Sequence, residues 1–139
     1  MIILDTNIIS EMMRPAPEKM VLNWLNEQEA ASLYLSAISI GEIGYGIRAL
    51  PDGKRRRLLT NSFEALLAAA FENRILNFDE AAARQYGNIM GGHKEIERPL
   101  SSLDGQIIAI AQVNTCAVAT RNFRDFECCG LTIINPFDT

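Results

Sequence analysis

The chain is poor in the residues that staple or anchor small proteins: 139 residues hold three cysteines, one histidine and one tryptophan. Cys116 stands alone and Cys128 adjoins Cys129, so there is neither a CxxC pair nor a Cys/His set at zinc-finger spacing. The thiols are expected to be reduced, in a cytoplasmic protein. The first residues lack the basic and long apolar regions of a secretory leader. The longest uninterrupted apolar run, ALLAAAF at Ala65–Phe71, is far too short to span a bilayer. GxxxxGK[ST] and GxGxxG are both missing, which removes the P-loop and dinucleotide-binding classes. Positive charge is also scarce. With 13 Lys and Arg against 17 Asp and Glu, the net charge is −4, which argues against a protein that coats nucleic acid by bulk attraction.

What is present is enough apolar sequence, 48% of the chain, for one domain over residues 1–139. A chain of this length buries roughly two thirds of the surface it exposes when unfolded. Short apolar runs alternate with longer segments of helical period, the pattern of βα units around a parallel sheet. The pattern predicts strands at Ile2–Leu4, Leu33–Leu35, Ile75–Leu76, Ala117–Ala119 and Thr132–Ile134. It predicts helices over Thr6–Met13, Glu18–Glu27, Ile38–Leu50, Lys54–Glu72, Glu80–Lys94 and Leu103–Asn114. Pro15 and Pro17, Pro51 with Gly53, and Gly91 with Gly92 read as breakers between them. On that reading His93 is a surface turn residue in GGHKE, and Trp24, in VLNWL, packs in the core.

The first apolar run stops at a carboxylate, Asp5, in LDTN. An acid at the end of a buried strand needs a cap, a cation or a metal. Three further polar stations resemble it. Glu42 lies in LSAISIGEI after the second strand, Asp104 lies in SSLDGQIIAIA, and Thr120, Asn122 and Asp125 lie in VATRNFRDF after the fourth strand. Each has a plain explanation. Asp5 suits an N-cap, Ser39-x-x-Glu42 and Ser101-x-x-Asp104 match the capping box, and Asn122-x-x-Asp125 approximates it. Taken together they point elsewhere, because strand ends of a parallel sheet deliver these residues to one edge, where ligands bind. Carboxylates gathered there raise one another's pKa, a conflict that a divalent cation resolves. The donors are all oxygen, which suits Mg²⁺ or Mn²⁺ rather than zinc.

MIILDTN, the Glu42 helix, SSLDGQIIAIA and VATRNFRDF, followed by a last strand into INPF, together resemble the PIN-domain ribonucleases of the VapC toxin type. The resemblance spans essentially the whole chain. It implies a three-layer α/β/α sandwich around a mostly parallel sheet of about five strands. It also implies a metal-dependent endoribonuclease, usually a homodimer, held inactive by a small antitoxin. Matched motif by motif, the acids are Asp5, Glu42 and Asp104. The fourth position falls to Asp125 or to Asn122, where some relatives carry an acid. Thr6, Asn7 and Thr120 support them, Thr120 as a hydroxyl aimed at a metal-bound water or a phosphate oxygen.

With such a site, the expected chemistry is hydrolysis of an RNA phosphodiester by activated water, without a nucleophilic side chain. Arg14, Arg48, Arg121 and the basic run beginning Lys54, Arg55 are candidates for RNA backbone contacts, although that run also suits a solvated helix start. Trp24 and Tyr45 are the aromatics available for stacking. Two other classes stay in view. A phosphate-accepting receiver domain would use an aspartate at the end of a middle strand, with Asp79 as candidate. A binding module would use the acids only as caps.

Overall fold

The structure, a computed structural model, describes residues 1–127 and 129–138, so the expectation for Cys128 lies outside the described residues. Five strands, β1 (Ile2–Leu4), β2 (Leu33–Ser36), β3 (Ile75–Leu76), β4 (Ala117–Ala119) and β5 (Ile133–Ile134), form one sheet in the order β3-β2-β1-β4-β5. Every pairing is parallel, with Ile3 opposite Tyr34 on one side and Val118 on the other. The helices are α1 (Thr6–Met12), α2 (Lys19–Glu27), α3 (Ala37–Arg48), α4 (Lys54–Ala70), α5 (Glu80–Glu95), α6 (Ser102–Val113) and the short α7 (Phe123–Phe126).

The sheet is apolar on both faces because both are covered, as all-parallel sheets require. Side chains alternate across it. Ile3 and Val118 enter a core with Ile89 of α5, the Ile107–Ala111 run of α6 and Phe126 of α7. Leu4, Leu35 and Ala119 enter a second core with Ile8, Val21, Ile43 and Phe63 of α1 to α4. Trp24 packs beside that second core, as its spacing predicts.

The caps decide several boundaries. Ser36 Oγ accepts from Ser39 N at 3.1 Å, so α3 begins at Ala37 and the expected Ser39–Glu42 capping box does not form; both residues lie inside the helix. Ser101 Oγ accepts from Asp104 N at 3.1 Å and starts α6. Asn122 makes no side-chain cap bond, so the third capping box is absent too. Asp79 caps α5, accepting from Ala82 N at 2.9 Å. It follows the edge strand β3 rather than a middle strand, which removes the receiver-domain reading.

The Gly91–Gly92 pair does not end a helix. α5 runs through it to Glu95, neither glycine having a positive φ, and His93 is a buried helical residue rather than a surface turn residue. Its Nδ1 lies 3.0 Å from the Arg98 carbonyl oxygen, and its Nε2 lies 3.5 Å from Cys129 Sγ. Gly105 answers a tighter demand, for a Cβ there would stand 2.5 Å from Met90 Sδ and 3.2 Å from the Tyr86 ring. The bare backbone lets α6 approach α5 one residue after Asp104.

Candidate active site

Asp5 leaves the central strand and caps α1, its Oδ1 accepting from Thr6 N at 2.8 Å. Its Oδ2 accepts from the Thr120 hydroxyl at 2.7 Å and from Asn7 Nδ2 at 3.3 Å. These bonds favour the carboxylate, yet its pKa is pushed up to about 6, because burial outweighs them and the charges of Asp104 and Glu42 add to it. Asp5 is thus both a cap and a strained anion.

Thr120 differs from expectation. It is fully buried and its hydrogen is committed to Asp5, while its oxygen accepts from Asn122 N at 3.0 Å. It orients Asp5 instead of facing a ligand. Asn7 completes the arrangement, accepting from Arg121 N at 3.1 Å through its Oδ1.

Glu42 is held from α1. Thr6 Oγ1 donates to Glu42 Oε1 at 2.8 Å and lies 2.9 Å from Ser39 Oγ. Asp104, on the first turn of α6, has its pKa raised by burial, opposed by the Ser101 hydroxyl and reinforced by the charge of Asp125.

Asp5, Glu42 and Asp104 therefore come from three distant segments to line one cavity of about 480 Å³, together with Thr6, Asn7, Arg14, Arg121 and Asn122. Asp125 does not line it. This residue borders two neighbouring cavities instead, and its charge reaches Asp104 from outside. Among the described residues, no three carboxylate, histidine or cysteine side chains are close enough to ligate one ion together. The anionic donors in the cavity are all carboxylate oxygens, and its volume leaves room for a hydrated hard cation held by one or two carboxylates and its own waters, which is the habit of Mg²⁺.

The basic candidates divide. Arg14 and Arg121 reach the acid cavity, Arg121 with its guanidinium 4.3 Å from the Phe137 ring centroid. Lys54 and Arg55 border an adjoining apolar groove of about 840 Å³, whose walls include Met13, Ile43, Ile47 and Leu58. Arg48 is exposed at the end of α3 and lines neither. Tyr45 is 78% exposed on the same helix. Sequence reasoning missed two residues of the acid cavity, Ser10 and Glu11. Glu11 had a usable signal, since it stands three residues before Arg14 on a helix that begins at the site.

Residues 2–127 match the model of the PIN domain family. The chain belongs to that family. This PIN domain is 41% identical over 138 residues to the VapC ribonuclease Y4jK of Sinorhizobium fredii, covering 99% of each chain. It is 36% identical over 137 residues to the toxin FitB of Neisseria gonorrhoeae, again covering 99% of each. The crystal structure of FitAcB from N. gonorrhoeae superposes with a TM-score of 0.93 at 36% identity, over 100% of both chains. The resemblance read from the motifs thus holds along the whole PIN domain.

Proposed function

We propose that this PIN domain, residues 1–139, is a divalent-metal-dependent endoribonuclease and the toxin of a toxin–antitoxin pair. One observation carries the reading. Three acids, from the end of β1, from α3 after β2 and from α6 in the β3–β4 crossover, share one cavity, and the most buried of them, Asp5, is raised to about 6. Carboxylates perturbed by burial and by neighbouring charge cluster in functional clefts. The VapC ribonuclease and FitB relatives supply the substrate class and the biological role.

Asp5 and Asp104 are the main residues that would hold Mg²⁺ or Mn²⁺, with Glu42 beside them and the fourth place falling to Asn122, which lines the same cavity, or to Asp125 just outside it. When bound, such a cation offsets the negative charge that builds on a phosphate under attack. The chain's own residues do the rest. Thr120 and Asn7 fix the Asp5 carboxylate, so no reorganisation is needed as charge develops. Thr6 holds one oxygen of Glu42. The carboxylate then accepts a proton from the attacking water as the water oxygen bonds to phosphorus and the ester oxygen leaves. Arg121, braced on Phe137, lines the same cavity and would meet the phosphate of a bound strand there.

The apolar groove beside the acid cavity suits the helix of an antitoxin, and an arginine from that partner would pair with the free carboxylates. The PIN domain itself is expected to pair as a homodimer, which light scattering of the purified chain checks. No helix among the described residues is long and apolar enough to cross a membrane, in keeping with a cytoplasmic enzyme. The deciding experiment is cleavage of RNA in Mg²⁺ or Mn²⁺ and its loss in EDTA; cleavage that persists in chelator overturns the metal-dependent reading.

A further inference from the structure

Glu11 is an acid without an evident duty. Its side chain is 5% exposed, and a buried carboxylate is costly unless it is paired. It pairs twice, accepting from Arg14 Nη1 at 2.9 and 3.1 Å and from Glu18 N at 3.0 Å. The second bond closes the turn between α1 and α2, a turn that Pro15 and Pro17 already stiffen. The turn therefore has its brace without the guanidinium. Arg14 is left 57% exposed, and among the described residues its Nε and Nη2 make no hydrogen bond. Its place is specific: it lies on the wall shared by the acid cavity and the apolar groove.

A cavity lined by four carboxylates, of which Arg14 offsets only Glu11, repels an approaching phosphate chain, so the strand needs a fixed cation at the rim. Arginine suits that task, because its planar fork keeps free donors after one nitrogen is tied down. We infer that Glu11 is a positioning residue that holds Arg14 at the mouth of the acid cavity, where Arg14 binds a backbone phosphate of single-stranded RNA. The inference rests on the ribonuclease reading for its substrate class, and it adds a role for an acid that would otherwise only brace a turn.

Binding and cleavage separate the two readings. Affinity for a fluorescent single-stranded RNA is measured against NaCl concentration in Ca²⁺, and cleavage is measured in Mn²⁺. A lost phosphate contact lowers the slope of log affinity against log salt by about 0.7 for a single strand. Arg14→Ala should show that drop and a rise in KM of roughly tenfold with kcat changed less than twofold, whereas Arg14→Lys should keep the slope. Glu11→Gln, which still accepts from Glu18 N, should weaken binding about threefold with the slope intact, and should have no further effect in the Arg14→Ala background. An unchanged slope in Arg14→Ala, an equal Glu11→Gln effect in both backgrounds, or no RNA binding by the wild type at low salt overturns the inference. Binding that follows this pattern without cleavage overturns the nuclease reading and leaves the Arg14 contact standing.

Discussion

Thr120 and Asp5, 115 residues apart in sequence, are joined by a buried 2.7 Å hydrogen bond between the ends of two neighbouring strands. That bond holds the Asp5 pKa below where burial alone would put it. Thr120→Val keeps the shape and removes the donor. In the metal-free protein the Asp5 titration profile, followed by NMR of its carboxyl carbon, should move to higher pH. Thr120→Ser should restore the profile. A Thr120→Val profile that superimposes on the wild type would show that the Thr120 bond does not hold the Asp5 pKa down.

Asp5→Asn and Asp104→Asn should each remove most RNA cleavage while the fold persists. For the metal-free protein, Asp5 also predicts a pH effect on stability. Its folded-state pKa of about 6 lies above the 3.8 of a free aspartate, so between these limits the fold binds a proton that the unfolded chain has released. The contribution of Asp5 to stability is therefore fully present below pH ~4 and is lost as pH rises through ~6, by about 3 kcal/mol for a shift of roughly two units. Asn caps a helix as well as Asp does. In EDTA at pH 7, Asp5→Asn should thus melt no lower than wild type, with its relative advantage shrinking at pH 4. A clear loss of melting temperature at pH 7 would make Asp5 a structural cap first.

Asn122 borders the acid cavity and Asp125 stands outside it. Isothermal titration with Mn²⁺ should show Asn122→Ala weakening binding more than Asp125→Asn does. The reverse order would assign the fourth place to Asp125.

The groove offers a test of the antitoxin reading. Gly46 lines it, and nothing lies within 4 Å of a Cβ built there. Gly46→Phe should fill the groove, weaken antitoxin binding more than tenfold and spare RNA cleavage. A peptide of the antitoxin's arginine-bearing tail should bind more weakly as Mn²⁺ rises, beyond what NaCl of matched ionic strength produces. Equal weakening by both salts would mean that no arginine enters the acid cavity.

Most of the architecture was legible because the strands are short, apolar on both faces and separated by strongly periodic helices. Ile2–Leu4, Ile75–Leu76 and Ala117–Ala119 lie where the pattern puts them. The departures have local causes. α3 starts one residue early because Ser36, not Ser39, caps it. α7 is only four residues long, too short for any period to show, and is held by burial of Phe126. His93 was misread because paired glycines suggest a break, whereas packing against Cys129 and the Arg98 carbonyl keeps that turn helical. The convergence of Asp5, Glu42 and Asp104 was readable from one strand end and two helix starts that face the same edge of the sheet. The roles of Thr120 and Glu11 were not, because each depends on which way a side chain turns once the chain has closed.

The strand order carries one more consequence. From β1 the chain steps outward through β2 to β3 with α1 to α4 on one face, then returns past β1 to β4 with α5 and α6 on the other. Between β1 and β4 the winding direction reverses, and the segments leaving those two strands part to opposite sides. The gap they leave is where Asp5 and Thr120 meet. The acid cavity is thus a seam in the winding and not a hollow carved by a loop. The carboxylates at the seam are thus placed by the crossovers themselves, with Ser101 at the end of the 96–101 connection setting where the Asp104 helix begins.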